Sequence, residues 1–303
     1  MNAYTEAEMS FVIATDTSAN LPTPYTKEHG LVVIPLSYHV FGEEHFCMDT
    51  EEFNAKEADA YFAAMKKGER VTTSQVPPQR YIDAFTPVLE AGNDILFVGM
   101  SSGISGSYAS SEIAAAQLRE TFPERTIRTV DTLGASMGEG IPVMHAVEWR
   151  SEGLGINEIA DRLLDERACM YQGVLLDDLM FLSRGGRLSG AKAVIGTVLG
   201  IRPLLKGNAH GELVVCGKTR GRKAALAALA ERYAKLVTDA ARRIVSVVYT
   251  DCKQDAEELA EMICKIAQPR KMMVLRYEPV TGSYLGPGAV ALFFEGGKDV
   301  REA

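Results

Sequence analysis

Two hydroxyl-rich segments are the parts of this sequence best suited to binding an anion. The first, Val71 to Pro78, has three adjacent hydroxyls, Thr72 to Ser74, shortly before a pair of prolines that open a predicted helix. Hydroxyls can donate to an anion, and a helix N-terminus adds free N–H groups and a partial positive charge. An ordinary helix cap with solvent-facing neighbours explains the same residues, so this segment alone leaves both explanations open.

The second segment, Met100 to Ser107, is rich in serine and glycine. It lies between a predicted buried strand, Asp94 to Met100, and a predicted helix, Tyr108 to Thr121. Ligands of parallel α/β sheets bind at that end of the strands, and Gly103 and Gly106 would let the backbone approach an anion. The segment lacks the second glycine of a GxSxG nucleophile elbow and the GK[ST] of a Walker loop. A tight strand-to-helix turn is the structural alternative.

Three glycine-containing or basic segments follow. Gly185 of the segment Leu179 to Ser189 and Gly190 just after it have P-loop spacing, but Ala191 separates the second glycine from Lys192, so the P-loop interpretation fails. Arg187 in this segment either binds an anion or is solvated or bridges two domains. Arg202 and Arg220 belong to a basic region that is a solvated face, a docking patch or a phosphate site. The last segment, Gly282-Ser-Tyr-Leu-Gly-Pro-Gly288, predicts a sharp structural turn.

Evidence for a metal or dinucleotide site is weak. His39, His45 and Cys47 cluster without a fourth ligand at a recognisable spacing. His145 lies on an apolar helix face and is interpreted as a core histidine. No GxGxxG fingerprint occurs, so a dinucleotide enzyme has no positive support.

The elements that must position these residues alternate between strand and helix in the first half of the chain. This rhythm predicts βαβ units and a parallel sheet covered on both faces. After about residue 170 the pattern is more mixed, so we expect two closely packed domains, residues 1–170 and 171–303. The predicted strands are Phe11–Thr15, Leu31–Val40, Asp94–Met100, Ile127–Val130, Gly173–Asp177, Leu213–Lys218, Ile244–Thr250, Met272–Tyr277 and one after Gly288. The predicted helices include Glu51–Lys67, Pro77–Ala91, Tyr108–Thr121, Ser136–Ser151, one from Gly153 to near Met170, and a short apolar helix after Arg187.

The bulk composition excludes several classes of protein. With 303 residues and a net charge of −8, the chain lacks the basic face that nucleic-acid binding needs. Five scattered cysteines argue against a disulfide framework and favour reduced thiols. The polar N-terminus is unlike a signal peptide, and the longest apolar stretch, Ala193 to Leu205, is too short to span a bilayer. We therefore expect a cytoplasmic protein.

Taken together and in order, the motifs of this chain resemble those of the DegV family over nearly its whole length. Each motif alone is weak, whereas the ordered set is specific. The motifs are Asp16-Thr-Ser18, Thr73-Ser-Gln-Val-Pro77, Ser101-Ser-Gly-Ile-Ser-Gly-Ser-Tyr108, Asp131-Thr132, Leu182-Ser-Arg-Gly-Gly-Arg-Leu-Ser189, Ile201-Arg-Pro203, Lys218-Thr-Arg-Gly221 and Gly282-Ser-Tyr-Leu-Gly-Pro-Gly288.

The resemblance implies an α/β fold of two domains, an N-terminal parallel sheet and a C-terminal mixed domain, with a fatty acid between them and no cofactor. It implies that hydroxyls of Thr73, Ser74 and Ser105 hold the carboxylate, with the Gly106 backbone nearby. Members of the FakB type present the acyl carboxyl to a separate fatty-acid kinase, whose acyl phosphate enters phospholipid synthesis. The resemblance implicates Arg220 in this presentation of the acyl carboxyl to the kinase.

One position departs from the family pattern. Where the family commonly has histidine, this chain has Tyr284, which can donate to a carboxylate but is neutral near pH 7. Carboxylate binding therefore survives the change more easily than a role linked to phosphorylation.

A buried acyl chain gives roughly 0.8 kcal/mol per CH₂, so a carrier needs an aliphatic tunnel, for which Leu175–Leu182 and Ala193–Leu205 are candidates. A carrier needs no nucleophile or metal. Such a protein would contact membranes only transiently, and a monomer is favoured. Two alternatives stay open. One is a kinase-like or hydrolytic enzyme that uses the Ser/Gly loop. The other is a binding module for another anionic small molecule, held by Arg187, Arg202 and Arg220.

Overall fold

The computed structural model describes residues 11–47, 49–189 and 200–303. Its strands are β1 (Phe11–Asp16), β2 (Val32–Ile34), β3 (Ser37–Val40), β4 (Glu43–Phe46), β5 (Thr72–Ser74), β6 (Asp94–Gly99), β7 (Ile127–Asp131), β8 (Met170–Leu175), β9 (Ile201–Gly207), β10 (Leu213–Arg220), β11 (Ile244–Tyr249), β12 (Lys271–Arg276) and β13 (Val290–Glu295). Its helices are α1 (Thr23–Glu28), α2 (Thr50–Lys56), α3 (Ala58–Lys66), α4 (Pro78–Glu90), α5 (Ser107–Thr121), α6 (Met137–Ser151), α7 (Ile156–Glu166), α8 (Met180–Gly185), α9 (Arg222–Leu236), α10 (Lys253–Ile266) and α11 (Pro279–Leu285).

The first half of the chain is built on a parallel sheet in the order β2-β1-β6-β7. Alternate residues of β6 point to opposite faces, as the two-residue period of a strand requires. Phe97 packs in one core cluster with Phe85 of α4, whereas Val98 packs in another with Ile141 of α6. Both faces of the sheet are therefore covered, which confirms the predicted α/β architecture.

A small antiparallel sheet, β4-β3-β5, was not predicted. The apolar run Leu31–Val40, predicted as one strand, is divided between β2 in the parallel sheet and β3 in the small one. The break lies at Pro35, which has no N–H for a strand ladder. The hydroxyl segment predicted as a loop forms β5 and pairs with β3, with Thr73 opposite Tyr38.

Two predicted helices have different bounds. The segment Glu51–Lys67 forms α2 and α3, because the backbone of Glu57 leaves helical geometry at φ −120° and ψ −32°. The helix predicted to reach Met170 ends as α7 at Glu166, and a 3₁₀ turn leads from it into β8.

The second half of the chain contains a six-stranded mixed sheet, β10-β9-β8-β13-β11-β12, in which only β11 and β12 run parallel. Helices α9 and α10 cover one face, while the other face shares a core cluster with the N-terminal half, where Phe293 of β13 joins Ile13 of β1. The division at residue 170 stays a prediction. The predicted short apolar helix after Arg187 and most of the apolar stretch from Ala193 lie outside the described residues.

The segment Gly282–Gly288, predicted as a turn, is partly helical. Helix α11 begins at Pro279 and ends at Leu285. Gly286 caps it with a φ of 76°, a conformation that glycine adopts at little cost. No helix of the described ranges is long and apolar enough to cross a membrane.

Candidate functional site

A cavity lies between the two halves of the molecule and is lined by both. Most of its wall is apolar, which suits a hydrocarbon and offers few hydrogen-bonding partners along its length. The predicted range Leu175–Leu182 contributes Leu182, and Val174 lies just before it. The apolar lining residues are Leu36, Met100, Ile104, Ala135, Val174, Leu182, Leu213, Val280, Leu285 and Phe293.

Two polar side chains of this cavity, those of Thr73 and Arg187, contact Tyr284. The hydroxyls of Thr73 and Tyr284 lie 2.5 Å apart. The guanidinium carbon of Arg187 stands 4.8 Å from the centre of the Tyr284 ring, and its Nε donates to the carbonyl of Ile104 at 3.1 Å. Ser105 follows Ile104 and also lines the cavity. Four segments that are distant in sequence therefore form one polar cluster, which we call the polar end.

Strand β5 positions the first hydroxyls. Its pairing with β3 holds Thr73 half-buried, whereas Ser74, which also lines the cavity, is exposed. Both residues therefore line the cavity, and their contact with a carboxylate stays a prediction.

Ser105 lies immediately before helix α5. Its hydroxyl accepts from the backbone N–H of Ser107 at 3.1 Å and donates to the Ser107 hydroxyl at 3.0 Å. The Ser107 hydroxyl in turn accepts from the backbone N–H of Val76 at 3.2 Å, so the two hydroxyl segments are tied together. The N-terminus of α5 adds a partial positive charge beside Ser105.

Gly106 does not line the cavity. A side chain there would collide with the amide of Gln75, which does line it and donates to the Ser110 hydroxyl at 2.7 Å. The Gln75 side chain is exposed and can shift, so packing alone does not require this glycine, and its backbone role beside a carboxylate stays a prediction.

Other serines of the Ser/Gly loop have structural partners. Ser101 donates to the carbonyl of Gly211 at 2.8 Å, and Ser102 donates to the carboxylate of Asp131 at 2.6 Å. Both bonds hold the loop in place, which leaves Ser105 as the cavity-lining serine of this loop.

Two glycine-containing segments that looked unrelated in sequence pack against each other. The Tyr284 ring lies so close to the backbone of Gly185 that a side chain there would collide with it. Phe181 of α8 occupies the space beside Gly286 in the same way. The glycines are therefore required by the close approach of α8 and α11, and this contact sets the position of Tyr284.

A buried carboxylate caps the helix that carries Tyr284. The side chain of Glu278 accepts from the backbone N–H groups of Val280 at 2.6 Å and Thr281 at 2.5 Å. Burial raises the pKa of Glu278 to about 7, although these hydrogen bonds oppose the shift. The capped helix also supplies Val280 and Leu285 to the cavity wall.

Arg202 and Arg220 do not line this cavity. Arg202 on β9 lies 3.3 Å from the carboxylate of Asp177, and Arg220 is exposed at the end of β10. Of the three predicted arginines, the structure brings only Arg187 to the polar end.

A second, outer depression shares the polar end with the cavity. Thr73, Arg187 and Tyr284 line both spaces, and the outer one also has Arg70 and Arg184 on its wall. No carboxylate of the described residues forms an ion pair with either of these two arginines. One carboxylate of the described chain, Glu69, also lines the depression, so three arginines outnumber one acidic side chain and the depression is electropositive.

Several lining residues were missed from the sequence. Ser136, Thr281 and Gln172 all line the cavity. Gln172 had a detectable signal, because it interrupts the apolar strand β8; its amide accepts from Ala135 N–H at 3.2 Å and donates to the Leu133 carbonyl at 3.1 Å.

The clustered His39, His45 and Cys47 do not form a group that could hold a metal, as far as the described residues go. His39 lies opposite Glu44 in the β3–β4 ladder, and the ring of His45 stacks on Tyr38 at 5.3 Å.

Comparisons with known proteins show which family this chain resembles over nearly its whole length. The family model described as "DegV: Uncharacterised protein, DegV family COG1307" matches residues 10–296. A DegV domain-containing protein of Clostridium perfringens is 33% identical over 292 residues, which cover 96% of this chain and 99% of that protein.

Solved structures show the same fold. A DegV family protein from Thermus thermophilus, described by its fatty-acid binding, is 26% identical with a TM-score of 0.85, covering 95% of this chain and 99% of the other. A fatty-acid-binding DegV family protein from Streptococcus agalactiae is also 26% identical, with a TM-score of 0.83 and the same coverage of both chains.

Proposed function

The chain belongs to the DegV family, and from this premise we propose that it is a carrier that binds one long-chain fatty acid in the cavity between its two halves. The observation that carries the proposal is the cavity itself, whose wall is mostly apolar and which has a cluster of polar side chains around Tyr284. Similar solved proteins from Thermus thermophilus and Streptococcus agalactiae are described as binding fatty acids.

The free energy of binding comes from the acyl chain. Burial gives roughly 0.8 kcal/mol per CH₂, so a chain of about 15 carbons offers about 12 kcal/mol before the costs of association. The carboxylate loses its hydration on binding and must regain hydrogen bonds. The polar end therefore serves mainly to orient the ligand.

In this proposal the hydroxyls of Thr73 and Tyr284 donate to the carboxylate, and that of Ser105 does so after it turns away from Ser107, to which it otherwise donates. Arg187 supplies positive charge, and Ser74 lies beside these residues. Thr73 and Tyr284 already share one hydrogen bond, so at least one of their two protons is free for a ligand. No bond has to be made or broken in the ligand, so these residues are binding groups rather than catalytic ones.

We further propose that the carrier presents its carboxylate to a separate fatty-acid kinase. The electropositive outer depression reaches the same three residues that line the polar end, so a partner's active site has a route to the carboxyl group. Exposed Arg220, with Arg202 on the neighbouring strand, is the proposed partner contact. Tyr284 supplies a neutral hydroxyl at a position where a histidine could carry a positive charge. Presentation to a kinase would therefore depend more strongly on the positive charge of Arg187.

The same proposal places the protein in the cytoplasm as a monomer that contacts membranes only transiently. Its five cysteines are free, which suits a reducing compartment.

A titration of delipidated protein with hexadecanoic acid and with hexadecanol tests the proposal. Both ligands fill the apolar wall, but only the acid has a carboxylate for the polar end. We expect saturable binding of one acid per chain and weaker binding of the alcohol. Equal affinity for the acid and the alcohol would contradict the assigned carboxylate site. Failure to bind either ligand would contradict the proposed carrier function.

A further inference from the structure

We propose that His145, Glu166 and Glu295 form a binding site for one divalent transition-metal ion, of which Zn²⁺ is the best chemical match. The site is separate from the cavity and does not depend on the proposed carrier function. His145 comes from α6, Glu166 from the last residue of α7 and Glu295 from the last residue of β13. The three residues thus join the N-terminal half to the C-terminal sheet.

The spacing of the three side chains fits one ion. Their ligand atoms all lie within 4.8 Å of one another, and Nε2 of His145 is 3.5 Å from Oε2 of Glu295. Two ligands of a tetrahedral zinc ion are about 3.4 Å apart, given bonds of about 2.1 Å. His145 and Glu295 already match that separation, and the half-buried Glu166 side chain would have to move closer by about 1.4 Å at most, the difference between 4.8 Å and about 3.4 Å.

An unsatisfied buried oxygen points to a ligand at this place. Glu295 is only 3% exposed, and its Oε2 is buried without a hydrogen-bond partner among the described residues. The other oxygen, Oε1, accepts from Nη1 of Arg243 at 3.0 Å. Arg243 therefore fixes the carboxylate and leaves Oε2 directed at His145, as residues behind a metal ligand commonly do. An orphaned carboxylate oxygen is costly, and a cation would remove that cost.

The donor set selects the class of ion. One imidazole nitrogen and two carboxylates suit Zn²⁺, with water as a fourth ligand, whereas Mg²⁺ prefers six oxygen ligands. Cys169 lies near the two carboxylates but is not one of the three ligands assigned here. The ring of His145 packs against Trp149 at 5.5 Å, which limits its rotation.

Calorimetric titration of the full, EDTA-stripped chain with Zn²⁺ tests the site, with Mg²⁺ as a second titrant and a reductant present throughout. We expect one Zn²⁺ per chain, no matching Mg²⁺ binding, and a higher midpoint of thermal unfolding with Zn²⁺, because an ion that binds only the folded state stabilises it. The matched variants are Glu166→Gln, which is half-buried at a helix end and so keeps the fold, and His145→Ala.

Loss of an outer-shell partner weakens metal binding by about 10–100-fold, so loss of a direct ligand should cost more than about 100-fold. The control variants, His210→Ala and Glu302→Gln, change exposed residues of the same types and should bind as the parent does. Absence of one-equivalent Zn²⁺ binding would leave only a His145–Glu295 ion pair and overturn the proposal. Unchanged binding in Glu166→Gln, or a Co²⁺ spectrum with a thiolate charge-transfer band, would place the ion elsewhere and overturn it as well.

Discussion

The hydroxyls of Tyr284 and Thr73 lie 2.5 Å apart, although 211 positions separate them in the sequence. This contact joins α11 of the C-terminal half to the edge strand β5 of the N-terminal half. It also marks the boundary between the apolar cavity and the electropositive outer depression, since both residues line both spaces. A ligand carboxylate that reaches the polar end therefore meets groups from both halves.

Replacing Tyr284 with phenylalanine should weaken fatty-acid binding while the fold persists. The change removes the hydroxyl but keeps the ring on which Arg187 stacks. A hydrogen bond to a charged group contributes about 1.5–3 kcal/mol, so we expect roughly a 10–100-fold rise in Kd for hexadecanoic acid by calorimetry. Hexadecanol binding should change less. Equal losses for acid and alcohol would show that the ring position, and not the hydroxyl, had been disturbed.

The double variant Thr73→Val with Ser105→Ala removes two further donors. We expect it to lower the amount of lipid that stays bound through purification, measured per mole of protein by mass spectrometry. Thr121→Val and Ser151→Ala change exposed hydroxyls at the ends of α5 and α6 and serve as the control pair. If the double variant retains as much lipid as the control, the hydroxyls of Thr73 and Ser105 do not hold the carboxylate.

Arg187 should contribute through its charge. In Arg187→Gln we expect the acid to bind about 10–100-fold more weakly, because a charge-assisted interaction is replaced by a neutral one. Acid binding by the parent should weaken as the salt concentration rises, because salt screens partly exposed charges. This salt dependence should be absent in the variant. Arg242→Gln, at an exposed site, is the control. A variant with unchanged affinity and salt dependence would exclude Arg187 from the site.

A larger side chain at Val174 should select against long ligands. Val174 is buried on β8 and lines the cavity, so Val174→Phe fills space that an acyl chain would use. We expect Kd to rise more for hexadecanoic acid than for decanoic acid in parallel titrations. Overpacking costs about 1–3 kcal/mol, so the unfolding free energy of the variant must be measured alongside. An equal loss for both lengths in a stable variant would contradict the assigned path of the chain.

Stability should depend on pH through Glu278. Burial raises its folded-state pKa to about 7, above its ordinary value near 4.5, so the folded protein holds this proton more tightly than the unfolded chain does. The resulting stabilisation is complete below about pH 4.5 and is lost as the pH rises through about 7. Glu278→Gln keeps a neutral cap at every pH. We therefore expect the variant to gain stability relative to the parent from pH 5 to pH 8, by at most about 3 kcal/mol, in urea unfolding. A difference that does not change with pH would show that Glu278 does not titrate in this range.

Much of the architecture was predictable because long apolar runs define it. The runs at β1, β6 and β7 and the helices α4, α5 and α6 were predicted within a residue or two, since periodicity reports burial directly. Strand β5 was missed because three polar residues on the edge of a small sheet carry no periodic signal. Helix α11 was missed because Gly282 and Gly286 in its segment indicated a turn.

The site was predictable only in part, and for a similar reason. Thr73, Ser74 and Ser105 follow from the ordered motifs, and all three line the cavity. Gln172 and the contact of Tyr284 with Gly185 depend on how distant segments pack, which spacing along the chain does not report.

The most direct measurement is the identity of whatever occupies the cavity of freshly purified protein. Denaturing extraction followed by mass spectrometry should find long-chain fatty acid at close to one molecule per chain, and the Tyr284→Phe variant should retain less. Protein that is consistently free of lipid and also fails to bind added hexadecanoic acid would contradict the central claim. A phosphorylated ligand without a long chain would contradict it equally and favour a binding module for another anion.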